Sequence, residues 1–408
     1  MDIAVEASRS AFEAASVHAS TAADDKVKPL GYLPISADSH ITEPPNTYID
    51  YIDPKFRDIA PRVERNEKGG DVFVVNGMEM KIPLAGTAAA GIDPKEIRLD
   101  EATFEELHRG GWDGTARVAD QERDGVGGEI IYPTVGMLLC NHRDADYKAA
   151  CFTAYNRWLQ EFQSVAPGRI FGIGQTAVRS VEETVEDFRR IREMGFHGVM
   201  MPCDPSTEFD YDDPRFDPVW QAAVDLKLPL SFHILTSGRD AGAGIGHVAG
   251  QRGKSKANMF QGLIRANQDV ISLFIWERMF ERFPDLKIVC VEADAGWAPH
   301  FMYRMDHFYN RHRFWAKIGE MSKMPSQFFR DNVYLTFQDD FIAFATADMM
   351  GEKQLMWAND FPHSDSTWPW SQQMLARQTK NLTGTQRKRI LRDNVVELYN
   401  LPVTQGAA

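Results

Sequence analysis

Residues 33–45 read LPISADSHITEPP, an apolar run that ends in Asp38 and His40, one residue apart, and is followed at once by Glu43-Pro44-Pro45. In an extended strand residues i and i+2 leave the same face, so the carboxylate and the imidazole can point together at one object. Oxygen and nitrogen donors of this kind suit a divalent ion such as Zn, Mn or Fe(II). Taken alone, the pair equally describes a turn cap beside a hydrogen-bonded histidine. The metal reading therefore needs further ligands at the ends of later strands.

Working outward, short apolar runs recur with helical stretches between them. After 33–40 they are 128–134 (GEIIYPT), 169–175 (RIFGIGQ), 197–202 (HGVMMP), 228–233 (LPLSFH), 286–292 (LKIVCVE), 332–337 (NVYLTF) and 354–360 (QLMWAND). Helical periodicity fills 117–124, 144–166, 181–194, 217–226, 262–283, 297–315 and 342–350, and two more helices close the chain at 372–382 and 385–399. Nearly continuous apolar strands alternating with helices are the mark of a parallel sheet covered by helices. Eight such units predict an α/β fold of the (β/α)8 TIM-type barrel class. An open doubly wound sheet is the alternative, but its glycine-rich nucleotide turn after the first strand is missing.

Between the first two strands, 71–83 (DVFVVNGMEMKIP) places Asn76-Gly77 between two apolar runs, a hairpin with a type I′ turn. The hairpin and the Ala/Gly-rich 85–91 read as an insertion of about 62–115 that can roof a site, and 48–62 reads as short helical or irregular chain. Residues 1–30 read as a flexible N-terminal arm, 31–401 as a single barrel domain and 402–408 as a tail. The glycine-crowded 236–256 suits a mobile loop.

Composition excludes some functions. Forty-five basic residues against 58 acidic give a net charge of −13, which argues against a nucleic-acid surface built of clustered Lys and Arg. No apolar run reaches the length of a membrane span. Cys140, Cys151, Cys203 and Cys290 show no CxxC spacing and read as reduced, buried thiols of a cytoplasmic protein.

Placed on the barrel frame, His233 ends the fifth strand and Asp360 the eighth. Active sites of such barrels lie at the carboxyl ends of the strands, so Asp38, His40, His233 and Asp360 form the candidate set for one divalent metal ion, Zn, Mn or Fe(II). Glu292 ends the sixth strand after a mostly apolar run, where an unpaired carboxylate is costly. It binds the metal, pairs with an arginine such as Arg304, or serves as general acid/base, and the last is favoured. His363, three residues past Asp360, orients substrate, shuttles a proton or caps a helix. Arg239 and Arg304 are candidates for holding a substrate carboxylate, or else surface residues. Trp368 and Trp370 can line a pocket for a cyclic substrate or pack at the barrel mouth. His300, His307 and His312 are unevenly spaced and, with no HExxH pattern, call for no second metal.

With DSH at the first strand, FH at the fifth and WANDFPH at the eighth, the chain resembles the amidohydrolase superfamily over roughly residues 33–400. More narrowly it resembles the amidohydrolase-2 branch, which holds aminocarboxymuconate semialdehyde decarboxylase and the non-oxidative aromatic-acid decarboxylases. The segments 283–306 (FPDLKIVCVEADAGWAPHFMYRMD) and 355–369 (LMWANDFPHSDSTWP) carry the likeness. The resemblance implies a mononuclear metal, Zn or Mn, held by Asp38, His40, His233 and Asp360; Glu292, Asp360 and His363 are the catalytic candidates read from the residues themselves. It also implies a small cyclic or aromatic carboxylic acid as substrate and a homodimer as the assembly. Where those decarboxylases often carry a histidine followed by glycines, this chain has Glu292 followed by ADAGW. Decarboxylation is the leading reaction. Hydrolysis of a C=O compound by metal-activated water uses the same residues, and a non-catalytic binding protein on a barrel scaffold is the reading of another class.

Overall fold

The computed structural model describes residues 30–79, 81–237 and 262–403. Its strands in chain order are β1 (Ile35–His40), β2 (Arg62–Arg65), β3 (Asp71–Val74), β4 (Lys81–Pro83), β5 (Gly128–Tyr132), β6 (Ile170–Gln175), β7 (Gly198–Met201), β8 (Leu230–His233), β9 (Ile288–Val291), β10 (Val333–Phe337) and β11 (Leu355–Trp357). Eight of them, β1 and β5 to β11, form one sheet in the order β1-β5-β6-β7-β8-β9-β10-β11. Every ladder in it is parallel. These strands are buried almost throughout, as expected when helices cover one face and the barrel interior fills the other. The architecture is the nearly closed (β/α)8 barrel expected from the alternation.

The covering helices start and stop where their side chains dictate. Helix α1 (Gly114–Asp124) is capped by Asp113, which accepts from the N–H groups of Thr115 and Ala116, and ends at Gly125 in the left-handed conformation. Helix α2 (Ala145–Ser164) begins at Asp144 and α3 (Val181–Glu193) at Ser180, each accepting a first-turn N–H. Helices α4 (Asp217–Leu226), α5 (Arg265–Trp276) and α6 (Ala298–His312) continue the ring. Two boundaries differ from the sequence reading. A helix at Pro325–Asn332 precedes β10, and the expected 342–350 helix is two short ones, Phe341–Ala345 and Ala347–Met350.

The insertion is a separate antiparallel sheet, β2-β3-β4. The expected hairpin is present as β3 and β4, with Val74 opposite Lys81, but its turn is not type I′. Met78 N–H donates to the Val75 carbonyl at 3.1 Å, and among the described residues of the turn only Gly77 has positive φ, at 79°, the pattern of a type II turn. Strand β2 was not legible: RVER holds one apolar residue, and the ladder to β3 makes the strand.

Between the first and last barrel strands the described residues form no continuous ladder. The seam is bridged instead at its carboxyl end, by His40 N–H donating to the Phe361 carbonyl at 2.7 Å and Asp360 N–H to the Asp38 carbonyl at 3.0 Å. The donors and acceptors of that closure are the site residues and their neighbours.

Candidate metal centre

β1 delivers Asp38 and His40 on one face, β8 ends at His233, Glu292 follows the last residue of β9, and Asp360 lies just beyond β11. All point into the mouth of the barrel. His40 Nε2 is 3.4 Å from Asp38 Oδ1, 3.4 Å from Asp360 Oδ1 and 3.6 Å from Glu292 Oε2. His233 Nε2 is 3.6 Å from Asp38 Oδ1 and 3.4 Å from Glu292 Oε2. Candidate ligand atoms of Asp38, His40, His233 and Glu292 lie within 4.8 Å of one another, as do those of His40, Glu292, Asp360 and His363. Glu292 and Asp360 both take left-handed backbone, φ 55° and 53°, which costs a non-glycine residue on the order of 1 kcal/mol or more. That local cost is where the strands turn their carboxylates over the mouth.

The orientation of the imidazoles is fixed from behind. His40 Nδ1 lies 2.9 Å from the Pro133 carbonyl and His233 Nδ1 3.1 Å from the Ile234 carbonyl. A carbonyl only accepts, so each Nδ1 carries the proton and each Nε2 turns a lone pair to the centre. Those lone pairs have no taker. His40 Nε2, His233 Nε2, both oxygens of Asp38 and both of Asp360 are buried with no hydrogen-bond partner among the described residues. Leaving one such polar group unmet costs about 1–3 kcal/mol, and more when it is charged. Six on one point make sense only if something cationic fills it.

The charges also disturb one another. Burial would raise Asp38, but the imidazoles of His40 and His233 hold it well below the usual carboxylate range. His40, which burial alone would depress, is pushed well above its ordinary value by Asp38, Glu292 and Asp360. Burial and the Glu292 carboxylate push Asp360 well up. A divalent cation bound by imidazole nitrogen and carboxylate oxygen resolves the whole set, and a donor set without thiolate suits Mn or Zn.

The four expected ligands are thus brought together, and Glu292 joins them. Its carboxylate meets the two imidazoles and not Arg304, so the arginine pairing considered for it does not occur among the described residues. His363 stacks on His40 with ring centroids 3.9 Å apart, its Nδ1 is 3.1 Å from Asp360 Oδ1, and its Nε2 is 2.9 Å from Thr134 Oγ1. Arg304 is exposed on α6, on the outer helical ring, which does not suit a substrate clamp. Trp368 is buried, packs on Phe361 and His108, and donates from its indole to the Asp120 carbonyl, so it forms the wall behind the site. Arg239 lies outside the described residues.

Sequence reasoning passed over four supporting residues. Thr134 anchors His363. Arg117, Glu129 and Asn359 form a buried polar group under the ligands. Glu129 carried the one available signal, an acid inside the otherwise apolar GEIIY of β5.

Fold and donor set together define a (β/α)8 barrel built around a single divalent-metal centre at its carboxyl end. The chain belongs to the amidohydrolase family, whose sequence profile matches residues 143–401. That span includes His233, Glu292, Asp360 and His363 and begins after Asp38 and His40, the pair on the first strand that β1 brings to the same centre.

Solved structures agree in fold. An amidohydrolase from Mycobacterium avium subsp. paratuberculosis superposes with a TM-score of 0.72 at 20% identity, covering 90% of this chain and 99% of that one. 5-Carboxyvanillate decarboxylase from Novosphingobium aromaticivorans, solved with manganese and 4-hydroxy-3-methoxy-5-nitrobenzoic acid, gives 0.62 at 19% identity, covering 92% and 99%. A dihydroxybenzoic acid decarboxylase from a Polaromonas species, solved with manganese and 2-nitroresorcinol, gives 0.58 at 15% identity, covering 91% and 98%.

Proposed function

We propose that this protein is a metal-dependent, non-oxidative decarboxylase of a small aromatic or other cyclic carboxylic acid. The observation that carries the reading is the set of six buried, partnerless donor atoms converging from the ends of β1, β8 and β11. Support for the reaction type comes from the manganese-bound decarboxylases that share the fold. Asp38, His40, His233, Glu292 and Asp360 would hold the ion. When bound, the ion supplies a Lewis acid and a template for the substrate carboxylate and a neighbouring oxygen.

The chain's own residues handle the proton. Loss of CO2 breaks the bond between ring carbon and carboxyl carbon and leaves its electron pair on the ring carbon, which must take up one proton. Thr134 Oγ1 is 2.6 Å from the Ile41 carbonyl and spends its hydrogen there, so it accepts from His363 Nε2. Burial, and then the neighbouring His40, keep the His363 pKa well below its ordinary value. A neutral His363 protonated at Nε2 turns its Nδ1 lone pair towards Asp360 Oδ1, 3.1 Å away, and can take up a proton there. Once protonated at Nδ1, His363 passes that proton to the ring carbon, and Asp360, a carboxylate of the ligand set, and Thr134 orient its ring. The Glu292 side chain, 15% exposed while those of Asp38, His40, His233 and Asp360 are fully buried, faces the mouth, where solvent and substrate enter.

The same reading places the protein in the cytoplasm as a homodimer. All four cysteines are buried, and Tyr303, Phe314 and Trp315 stand exposed where a second copy can cover them. Sedimentation at micromolar concentration checks the dimer. The reaction is tested by incubating the manganese-loaded enzyme with hydroxylated aromatic and muconate-type acids in oxygen-18 water. Release of CO2 with no solvent oxygen in the organic product is expected. Solvent oxygen in that product would instead make the protein a hydrolase.

A further inference from the structure

Arg117, on α1, is fully buried, and its partner Glu129, on β5, is 1% exposed. Neither belongs to the ligand set, yet Arg117 spreads its donors across the seam that the ligands straddle. Nε bonds Glu129 Oε2, Nη1 donates to the His40 carbonyl at 2.8 Å and to the Gly110 carbonyl at 3.2 Å, and Nη2 donates to the Phe361 carbonyl at 3.1 Å. The His40 carbonyl belongs to a ligand on β1, and Phe361 directly follows the ligand Asp360. The Phe361 carbonyl therefore takes two donors, Arg117 and His40 N–H. Glu129 completes the device from its other oxygen, accepting from Asn359 Nδ2 at 3.0 Å. Asn359 precedes Asp360, receives the Ser39 hydroxyl at 2.7 Å on Oδ1, and donates its N–H to Ser36 Oγ at 2.9 Å. Residues 36, 39, 40, 359 and 361, which alternate with Asp38 and Asp360, are thus all tied to one another or to the Arg117–Glu129 pair.

Every other neighbouring pair of barrel strands is held by a parallel ladder. This pair lacks a continuous one among the described residues, although three of the five ligands come from its two sides. We propose that the Arg117–Glu129 pair is the positioning element of the metal centre: it substitutes for the missing ladder and sets the distance between Asp38 and His40 on one strand and Asp360 on the other. A guanidinium suits the task because its planar fork reaches several acceptors at fixed angles, which an ammonium cannot do. The inference rests on the metal reading above and deepens it.

The test separates positioning from simple support of the fold. Metal-free wild type, Arg117→Lys and the double variant Arg117→Met/Glu129→Gln are titrated with Mn(II) and with Zn(II) by calorimetry, and the melting temperature of each metal-free protein is measured. The double variant leaves no buried charge unpaired, so its metal-free melting temperature stays near wild type. Its affinity for Mn(II) falls about 10- to 100-fold, as expected when a group that orients ligands is lost. Arg117→Lys keeps the charge opposite Glu129 but not the fork, and it binds Mn(II) more weakly than wild type and no more weakly than the double variant. Wild-type affinity in either variant overturns the proposal. Wild-type protein that takes up neither ion overturns the metal reading itself, and the positioning role with it.

Discussion

Two clusters of buried charge adjoin at the seam of the barrel, the upper one at its carboxyl end and the lower one beneath it, around the second residue of β5. The lower one comprises Arg117, Gln121, Asp124, Glu129, Asn359 and Ser371, and the upper one Asp38, His40, His233, Glu292, Asp360 and His363. In the lower cluster the partners are all within the chain: Glu129 takes Arg117, Gln121 and Asn359, and Asp124 takes the Ser371 N–H at 3.0 Å and its hydroxyl at 2.6 Å. In the upper cluster, equally dry, six donor atoms of Asp38, His40, His233 and Asp360 have no partner. Burial therefore does not distinguish structure from function here. Satisfaction does: a closed polar cluster is part of the scaffold, and an open one marks where something from outside binds.

The contrast breaks first at the ligands. His233→Ala and Asp360→Ala are expected to lose metal by more than the ~10–100-fold that a supporting residue costs, and to lose turnover with it, while circular dichroism stays that of the wild type. Elemental analysis after gel filtration checks this. Glu292→Gln also weakens metal binding, since its carboxylate reaches both imidazoles.

Metal removal acts next. A ligand present at 1,000 times its Kd adds about 4 kcal/mol of stability, so a chelator lowers the melting temperature and Mn(II) restores it. An unchanged transition would show that the open cluster is not filled by metal. In the closed cluster, Arg117→Ala strands the Glu129 charge and costs about 3–5 kcal/mol in urea unfolding of the metal-free protein.

A smaller effect follows from Asp124, whose carboxyl burial pushes up to about 7, partly offset by hydrogen bonds from Ser371 and Asn359. The folded state then holds this proton more tightly than the unfolded chain, where the group titrates near 3.8. Its stabilising contribution is complete below that value and is lost as pH rises through about 7, a decline of roughly 3–4 kcal/mol at most. Asp124→Asn flattens the decline between about pH 4 and 7 in pH-dependent unfolding. The smallest effect is expected from Thr134→Val, which removes the acceptor for His363 Nε2 at a cost of about 1 kcal/mol. That corresponds to a five- to tenfold lower kcat, about what 1 kcal/mol gives, with KM unchanged. A shifted KM would show that Thr134 touches substrate.

The insertion shows what the sequence could not carry. RVER has no pattern of its own, and β2 exists because β3 offers an edge; the turn beside it takes positive φ at Gly77 alone. Arg304 shows where the sequence left two readings open, a substrate clamp or a surface residue. A basic residue shortly after a ligand-bearing strand reads as a clamp, yet its position on α6 turns it outward, and only the helical phase in three dimensions reveals that. Glu292 was legible as a functional acid, read as metal ligand, arginine partner or general acid/base. Its partners, His40 and His233, lie far from it in sequence.

The linear sequence by itself determined the eight-fold alternation of strand and helix and the placement of Asp38, His40, His233 and Asp360 at strand ends. These follow from local periodicity and from which residue ends an apolar run. Only the tertiary structure decided that Glu292 turns into the ligand set, that His363 leans on Asp360 and Thr134, and that Arg117 and Glu129 lock the seam. Each of those depends on contacts between residues far apart in the chain, set by strand register and by left-handed turns at single residues, which no window along the sequence contains.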